Sequence, residues 1–87
     1  MIDPAGVTAR VVVLTRQGCH LCDQAIEVVA AVCAETGASY ATRDVDTDPE
    51  LLRRYSDQVP VTFVDGAQHD FWRVDPVRLR AALARSH

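Results

Sequence analysis

The first apolar segment of the chain is a short, continuous run that predicts a buried strand. It reads Val-Val-Val-Leu-Thr over Val11–Thr15, and four of these five residues are β-branched. A run of this kind, without polar alternation, is typical of a strand that is covered on both faces in a parallel or mixed sheet. The polar and glycine residues at positions 16–18 then interrupt it.

After Gly18 the apolar positions take on the spacing of a helix. They fall at intervals of four, three and four residues, at Cys22, Ile26, Val29 and Cys33. This spacing places them on one face of a helix. We predict that the helix starts at Cys19 and ends before Gly37, because glycine readily adopts the left-handed conformation that closes many helices.

The middle of the chain predicts a second strand over residues 39–45 and then a second helix. Asp48 provides an N-cap, and Pro49 suits the first helical position. Glu50 places a negative charge beside the positive end of the helix dipole. The side chains that we expect to face inward are Leu51, Leu52 and Tyr55.

The next segment predicts a β-hairpin. Val61–Val64 forms a third strand, and residues 68–73 return as a fourth. The Asp-Gly pair between them is the usual sequence signal for a tight two-residue turn.

The chain ends with a third predicted helix, over residues 77–85. Asp75 and Pro76 begin it as an aspartate and a proline begin the second helix, with the proline suited to the first turn. The order of elements is therefore βαβαββα. A right-handed crossover between parallel strands, followed by a hairpin, gives an α/β sandwich in which a four-stranded mixed sheet has one helix on one face and two on the other.

Length and composition indicate one globular domain over residues 1–87. Hydrophobic residues make up 48% of the 87 residues and charged residues 24%, which supports a single core. All nine basic residues are arginines, and twelve acidic residues bring the net charge to -3. This charge disfavours binding to a nucleic-acid backbone.

The sequence also predicts a protein of the cytoplasm. The apolar run near the start is too short for a signal peptide or a membrane span, and arginines flank it. Three cysteines, two of them only three residues apart, do not form the framework of a disulfide-stabilised secreted domain. We therefore expect no membrane association and, without a long apolar seam, a monomer.

The motif Gly18-Cys19-His20-Leu21-Cys22 carries the candidate chemistry, because it lies where a strand ends and a helix begins. Backbone N–H groups and the helix dipole at that point favour an anionic sulfur on Cys19, which makes it the predicted nucleophile. Cys22, one helical turn later, is near enough to attack a mixed disulfide formed at Cys19. We predict that it is the resolving cysteine.

Three residues around the pair are candidates for tuning it. His20 can add positive charge or a hydrogen-bond donor, and Leu21 excludes water from the sulfurs. Arg16 precedes Cys19 by three residues and can also favour the thiolate.

A Cys-x-x-Cys pair by itself leaves other functions open, because zinc half-sites use the same spacing. The other possible metal ligands are Cys33, His20, His69 and His87. They form no second cluster of ligands in the sequence, so we predict no metal site. Cys33 shares the apolar stripe of the first helix and is predicted to belong to the core. A redox sensor, an iron–sulfur module or a docking domain without turnover are the alternatives to an enzyme.

The order of strand, Cys-x-x-Cys, helix and then Val59-Pro60 before the next strand resembles the glutaredoxins, especially the short glutaredoxin-like proteins of bacteria. The stretch over residues 44–62 also resembles thioredoxins. The resemblance implies a thioredoxin-like fold in which the Pro60 peptide bond is cis and lies against the cysteine pair. It also implies that the backbone of Val59 pairs with an extended peptide or a glutathione-like ligand.

The same resemblance implies a thiol–disulfide oxidoreductase. Its partners would be disulfide-containing or thiol-modified proteins. It would carry no bound cofactor and would use glutathione or another low-molecular-weight thiol as co-substrate.

The chain departs from glutaredoxins where they bind glutathione. Glutaredoxins usually carry Gly-Gly and then acidic residues after the last strand, whereas this chain reads Trp72-Arg73-Val74-Asp75. Asp75 matches the acidic position, and Arg16 replaces the usual lysine before the cysteines. We expect at least one of the adjacent aromatic residues at positions 71 and 72 to face the core.

Overall fold

The computed structural model describes residues 9–85, apart from the side chain of Phe71. Within this range the chain forms a four-stranded sheet and three α-helices. The strands are β1 (Val11–Thr15), β2 (Tyr40–Asp44), β3 (Val61–Val64) and β4 (Ala67–Phe71). The helices are α1 (His20–Thr36), α2 (Pro49–Tyr55) and α3 (Pro76–Arg85), and a 3-10 turn over Val45–Thr47 connects β2 to α2.

The sheet has the mixed topology that the sequence predicts. Its strand order is β2-β1-β3-β4, with β1 parallel to β2 and β3 antiparallel to both of its neighbours. The parallel pair is joined through α1, as the crossover rule requires. The thioredoxin-like βαβαββα fold is therefore confirmed. No helix within residues 9–85 is both long enough and apolar enough to cross a lipid bilayer.

The core lies on both faces of the sheet because β1 is buried along nearly its whole length. Val11 and Val13 face α1 and α3, whereas Val12 and Leu14 face α2. The larger cluster consists of Val11, Val13, Val29, Val32, Cys33, Val64, Leu79, Ala82 and Leu83. The smaller cluster consists of Val12, Leu14, Val45, Leu51, Val61 and Phe63. One helix thus covers one face and two cover the other.

Two of the predicted strands are longer than the observed ones. The second strand covers Tyr40–Asp44, because Val45 turns into the 3-10 segment and is buried beneath α2. The fourth strand starts at Ala67 and ends at Phe71, because Trp72 has a positive φ of 67°. A left-handed backbone of this kind is incompatible with a strand.

The hairpin turn and the tip of the sheet are fixed by the Asp-Gly pair. Asp65 and Gly66 have φ values of 50° and 85°, as in a type I′ turn. Arg10 donates two hydrogen bonds to the Asp65 carboxylate, at 3.1 and 3.0 Å, and a third to the Leu83 carbonyl at 3.1 Å. The turn is thereby linked to the end of α3.

Asp48 caps the short helix α2, and we expect Asp48→Ala to destabilise the protein by about 1 kcal/mol. Its Oδ1 accepts hydrogen bonds from the backbone N–H groups of Glu50 and Leu51, at 3.0 and 3.4 Å. Alanine leaves those donors without this partner. Urea denaturation measures the effect, and Asp48→Asn, which retains an acceptor, is the matched control. Equal stability of the alanine and asparagine variants would show that the cap contributes nothing.

Candidate active site

Cys19 occupies the N-cap position of α1, directly after the end of β1. Its backbone is extended, with φ -97° and ψ 107°, and the preceding Gly18 makes the turn with a positive φ of 75°. The Cys22 backbone N–H donates a hydrogen bond to the Cys19 sulfur at 3.1 Å. The 17-residue helix therefore directs the positive end of its dipole, together with a backbone N–H donor, at a partly exposed sulfur.

Cys22 lies one turn further along and is almost completely buried, with 2% of its surface exposed. Burial and then the hydrogen bond with Cys19 raise the pKa of the Cys22 thiol to about 12, while a backbone hydrogen bond from Arg16 acts in the opposite direction. All three cysteines of the chain are free thiols in the structure. The pair therefore combines one accessible and one protected sulfur.

We expect alkylation by iodoacetamide at pH 8 to modify Cys19 well before Cys22 or Cys33. A thiol with a pKa of about 12 is ionised in roughly one molecule in ten thousand at this pH, and only the thiolate reacts. Burial also raises the pKa of the Cys33 thiol. Mass spectrometry of digested protein at successive times measures the order of labelling. Labelling of Cys22 at the rate of Cys19 would contradict the assignment of exposed and protected sulfurs.

The structure places the three candidate tuning residues differently around the pair. Arg16 is exposed and its guanidinium lies 3.3 Å from a carboxylate oxygen of Asp46, so that part of its charge is compensated. His20 is exposed at the first position of α1. Leu21 is half-buried and lines a pocket beside the motif.

Val59 and Pro60 come to the same end of the sheet as the cysteines. Val61 pairs with Leu14, so the residue before β3 lies beside the end of β1, where the cysteine loop begins. The peptide bond between Val59 and Pro60 is cis, and Pro60 is fully buried. Within residues 9–85, the backbone N–H and C=O of Val59 take part in no hydrogen bond.

Asp75 has a structural role at the start of α3. Its carboxylate accepts hydrogen bonds from the backbone N–H groups of Val77 and Arg78, at 2.8 and 3.4 Å. The residue is exposed and precedes the helix directly. Its carboxylate therefore already serves as the N-cap of α3 at the position predicted to bind a thiol ligand.

Trp72 belongs to this end of the sheet as well, although its sequence position predicts a strand residue. Its backbone N–H donates to the Pro60 carbonyl at 2.7 Å, and its indole N–H donates to the Asp57 carbonyl at 3.3 Å. The side chain is 52% exposed, so this aromatic residue does not fill the core; the side chain of Phe71 lies outside the described residues. The one sequence feature that points to Trp72 as a site residue is that the sole tryptophan of the chain directly follows a strand.

Other groups that the sequence offered as metal ligands are dispersed. Cys33 is buried in the cluster under α1 and α3, and His69 lies on β4. Over residues 9–85, no three side chains of histidine, cysteine, aspartate or glutamate come together as a possible metal site. His87 is outside the described residues.

Comparisons with known proteins match nearly the whole chain. A sequence profile described as "Glutaredoxin-like domain (DUF836)" matches residues 10–84. The uncharacterized protein Rv0508 of Mycobacterium tuberculosis is 40% identical over 82 residues, which cover 88% of this chain and 84% of the relative. The range matched by the profile includes Cys19, Cys22, Pro60 and Trp72.

Solved structures show the same fold. Protein XcR50 from X. campestris is 32% identical with a TM-score of 0.72, covering 88% of this chain and 99% of that one. Protein Ne2328 from Nitrosomonas europaea is 28% identical with a TM-score of 0.72, covering 84% and 88%. The thioredoxin of Fasciola hepatica is 27% identical with a TM-score of 0.59, covering 88% and 79%.

Proposed function

This chain belongs to the glutaredoxin-like domain family, and from that premise we propose that it is a thiol–disulfide oxidoreductase that reduces protein disulfides or mixed disulfides. The observation that carries the proposal is the position of Cys19 at the N-terminus of α1, with Cys22 one turn behind it and buried. A pair with one accessible and one protected sulfur divides the reaction into attack and resolution.

In the first step Cys19 attacks. Its thiolate forms a bond to one sulfur of the substrate disulfide, the substrate S–S bond breaks, and the other substrate sulfur leaves as a thiolate that takes up a proton. Cys19 is now joined to the substrate in a mixed disulfide. The N–H of Cys22, which donates to the Cys19 sulfur in the reduced protein, orients that sulfur for the attack.

In the second step Cys22 resolves the mixed disulfide. Its sulfur attacks that of Cys19, which forms the Cys19–Cys22 disulfide and breaks the mixed disulfide, and the proton of the Cys22 thiol passes by way of solvent to the substrate thiolate that leaves. The two electrons of the dithiol have then passed to the substrate. Burial is the main cause of the raised pKa of Cys22 and keeps it protonated in the reduced protein, and the smaller contribution of Cys19 to that pKa is lost when the mixed disulfide forms.

The backbone of Val59 supports binding of an extended substrate. Its N–H and C=O make no hydrogen bond within residues 9–85, and they lie at the same end of the sheet as the cysteines. An extended peptide around the substrate cysteine can pair with both groups, as a strand pairs with a sheet edge. Arg16, His20 and Leu21 complete this proposed surface, and the buried Pro60 fixes the backbone of Val59 beneath it.

We propose glutathione or another low-molecular-weight thiol as the reductant that restores the dithiol, with no bound cofactor. Two such thiols supply two electrons and leave as a disulfide. The partners are disulfide-containing or thiol-modified proteins in a reducing compartment, in which cysteines of this kind stay available. The chain acts as a monomer in this proposal, since Cys19 and Cys22 lie within one chain.

The experiment is turnover of a glutathionylated small disulfide, with glutathione and glutathione reductase, by the wild type and by Cys33→Ala. We expect both proteins to be active at similar rates, because Cys33 belongs to the core. If the protein were active only with a dithiol reductant, the proposed reaction would stand and the dithiol would replace glutathione as the proposed reductant. Absence of activity with either reductant, together with a Cys19 that resists alkylation at neutral pH, would contradict the proposed function.

A further inference from the structure

A pocket lies beside the cysteine motif, between α1 and the segment after β4. It is lined from the helix by Leu21, Gln24, Ala25 and Val28, and from the other side by Trp72, Arg73 and Val74. Its volume is about 150 Å³. A cavity of roughly 150 Å³ admits a benzene-sized group, whereas sites for whole small molecules measure about 300–1,000 Å³. The pocket therefore has the size of one apolar side chain.

Trp72 is held in place as a wall of this pocket at a cost in backbone conformation. Its positive φ of 67° is rare for a bulky side chain. The hydrogen bonds to the Pro60 and Asp57 carbonyls keep this conformation and fix the indole ring. A half-exposed aromatic residue that is fixed in this way, across a pocket from the helix that carries the cysteines, has the properties of a binding residue rather than of a core residue.

The charged side chain at the pocket is Arg73. Six arginines within residues 9–85 form ion pairs with carboxylates, at positions 10, 16, 53, 54, 78 and 80. Arg73 forms no ion pair with any residue in that range, and it is exposed. Its guanidinium is thus available to a carboxylate of a bound partner.

We propose that this pocket is a specificity subsite that seats one apolar side chain of a polypeptide substrate, next to the substrate's reactive cysteine, while Arg73 pairs with an acidic residue of the same peptide. The preferred substrate is therefore an acidic peptide segment in which an apolar residue adjoins the cysteine. This inference rests on the proposed function, because it names the substrate class of the same site.

The first experiment measures binding without chemistry. Trp72 is the sole tryptophan of the chain, so its fluorescence reports on the pocket directly. The probes are peptides Glu-Leu-Ser and Glu-Ser-Ser within a common glycine-rich frame, with serine in place of the reactive cysteine. We expect the leucine peptide to change the emission at a concentration about tenfold lower than the serine peptide. Arg73→Gln should weaken the binding of the leucine peptide by roughly two- to fivefold.

The second experiment measures selectivity during turnover. The glutathionylated peptides Glu-Leu-Cys and Glu-Ser-Cys are compared by kcat/KM in the wild type, in Trp72→Ala and in Val77→Ala. We expect the wild type to favour the leucine peptide about tenfold and Trp72→Ala to lose that preference. Val77→Ala is the matched control, since Val77 is 67% exposed and does not line the pocket, and it should keep the wild-type ratio.

The outcomes separate the two proposals. Equal binding and equal turnover of both peptides would overturn the subsite and leave the proposed function intact. Preferential binding of the leucine peptide without any turnover would support the subsite and contradict the proposed function. A preference that survives in Trp72→Ala, with that protein folded by circular dichroism, would also overturn the subsite.

Discussion

Replacing Cys19 with serine should lower turnover of a glutathionylated disulfide by roughly 10³-fold or more, to the uncatalysed rate. The reason is that Cys19 is the cysteine whose sulfur is partly exposed and receives a backbone hydrogen bond at the helix start. Cys22 cannot take over the attack, because it is buried and its pKa is raised to about 12. The assay is the glutathione-coupled turnover described above.

Cys22→Ser is the informative companion variant. It should keep part of the activity toward glutathione mixed disulfides, because a free small thiol can release Cys19 in place of Cys22. It should lose most of its activity toward disulfides within one protein, since these need the resolving sulfur. Full activity of Cys19→Ser would contradict the assigned roles. So would a loss of activity in Cys33→Ala as large as that in Cys22→Ser.

The largest expected effect on stability is that of Leu79→Ala, which should destabilise the protein by about 2–5 kcal/mol. Leu79 is completely buried in the cluster between the sheet, α1 and α3. Its truncation removes apolar contacts and leaves a cavity that close-packed neighbours fill only in part. Since domains of this size are stable by about 5–15 kcal/mol, the loss should be evident in urea denaturation.

Val77→Ala in the same helix is the control for that measurement. Val77 lies two residues before Leu79, and 67% of its surface is exposed. We expect a change within about 0.5 kcal/mol. Equal stability of Leu79→Ala and Val77→Ala would contradict the prediction, because it would show that the burial of Leu79 does not hold α3 on the sheet.

The elements that depend on local chemistry could be predicted from the sequence. The first strand was predicted at its observed bounds, because five apolar or β-branched residues in succession are explained best by a strand buried on both faces. Asp48 and Pro49 begin α2 as predicted, since capping and the fixed proline backbone act within a few residues. The Asp-Gly turn is local for the same reason.

The end of the fourth strand could not be predicted in this way. Trp72 has strong β propensity, and the sequence extends the apolar pattern through it. Trp72 donates hydrogen bonds to the carbonyls of Pro60 and Asp57, which lie 12 and 15 residues earlier in the chain. Tertiary contacts therefore overrode a local preference.

The candidate site was predictable in its cysteines and less so in its surroundings. The strand-to-helix position of the Cys-x-x-Cys motif determines which sulfur is a cap and which is buried. The partner of Arg16 is Asp46, thirty residues away, and nothing in the sequence relates the two. Asp75 looked available for a ligand, yet its carboxylate already accepts two backbone hydrogen bonds.

The most direct test of the cysteine pair is a mass measurement after one equivalent of a peptide disulfide is added to the reduced protein and the reaction is quenched with acid. In the wild type we predict a disulfide between Cys19 and Cys22 and free peptide. In Cys22→Ser we predict the peptide attached to Cys19 in a mixed disulfide. Peptide attached to Cys33, or a wild type that remains fully reduced, would contradict the account.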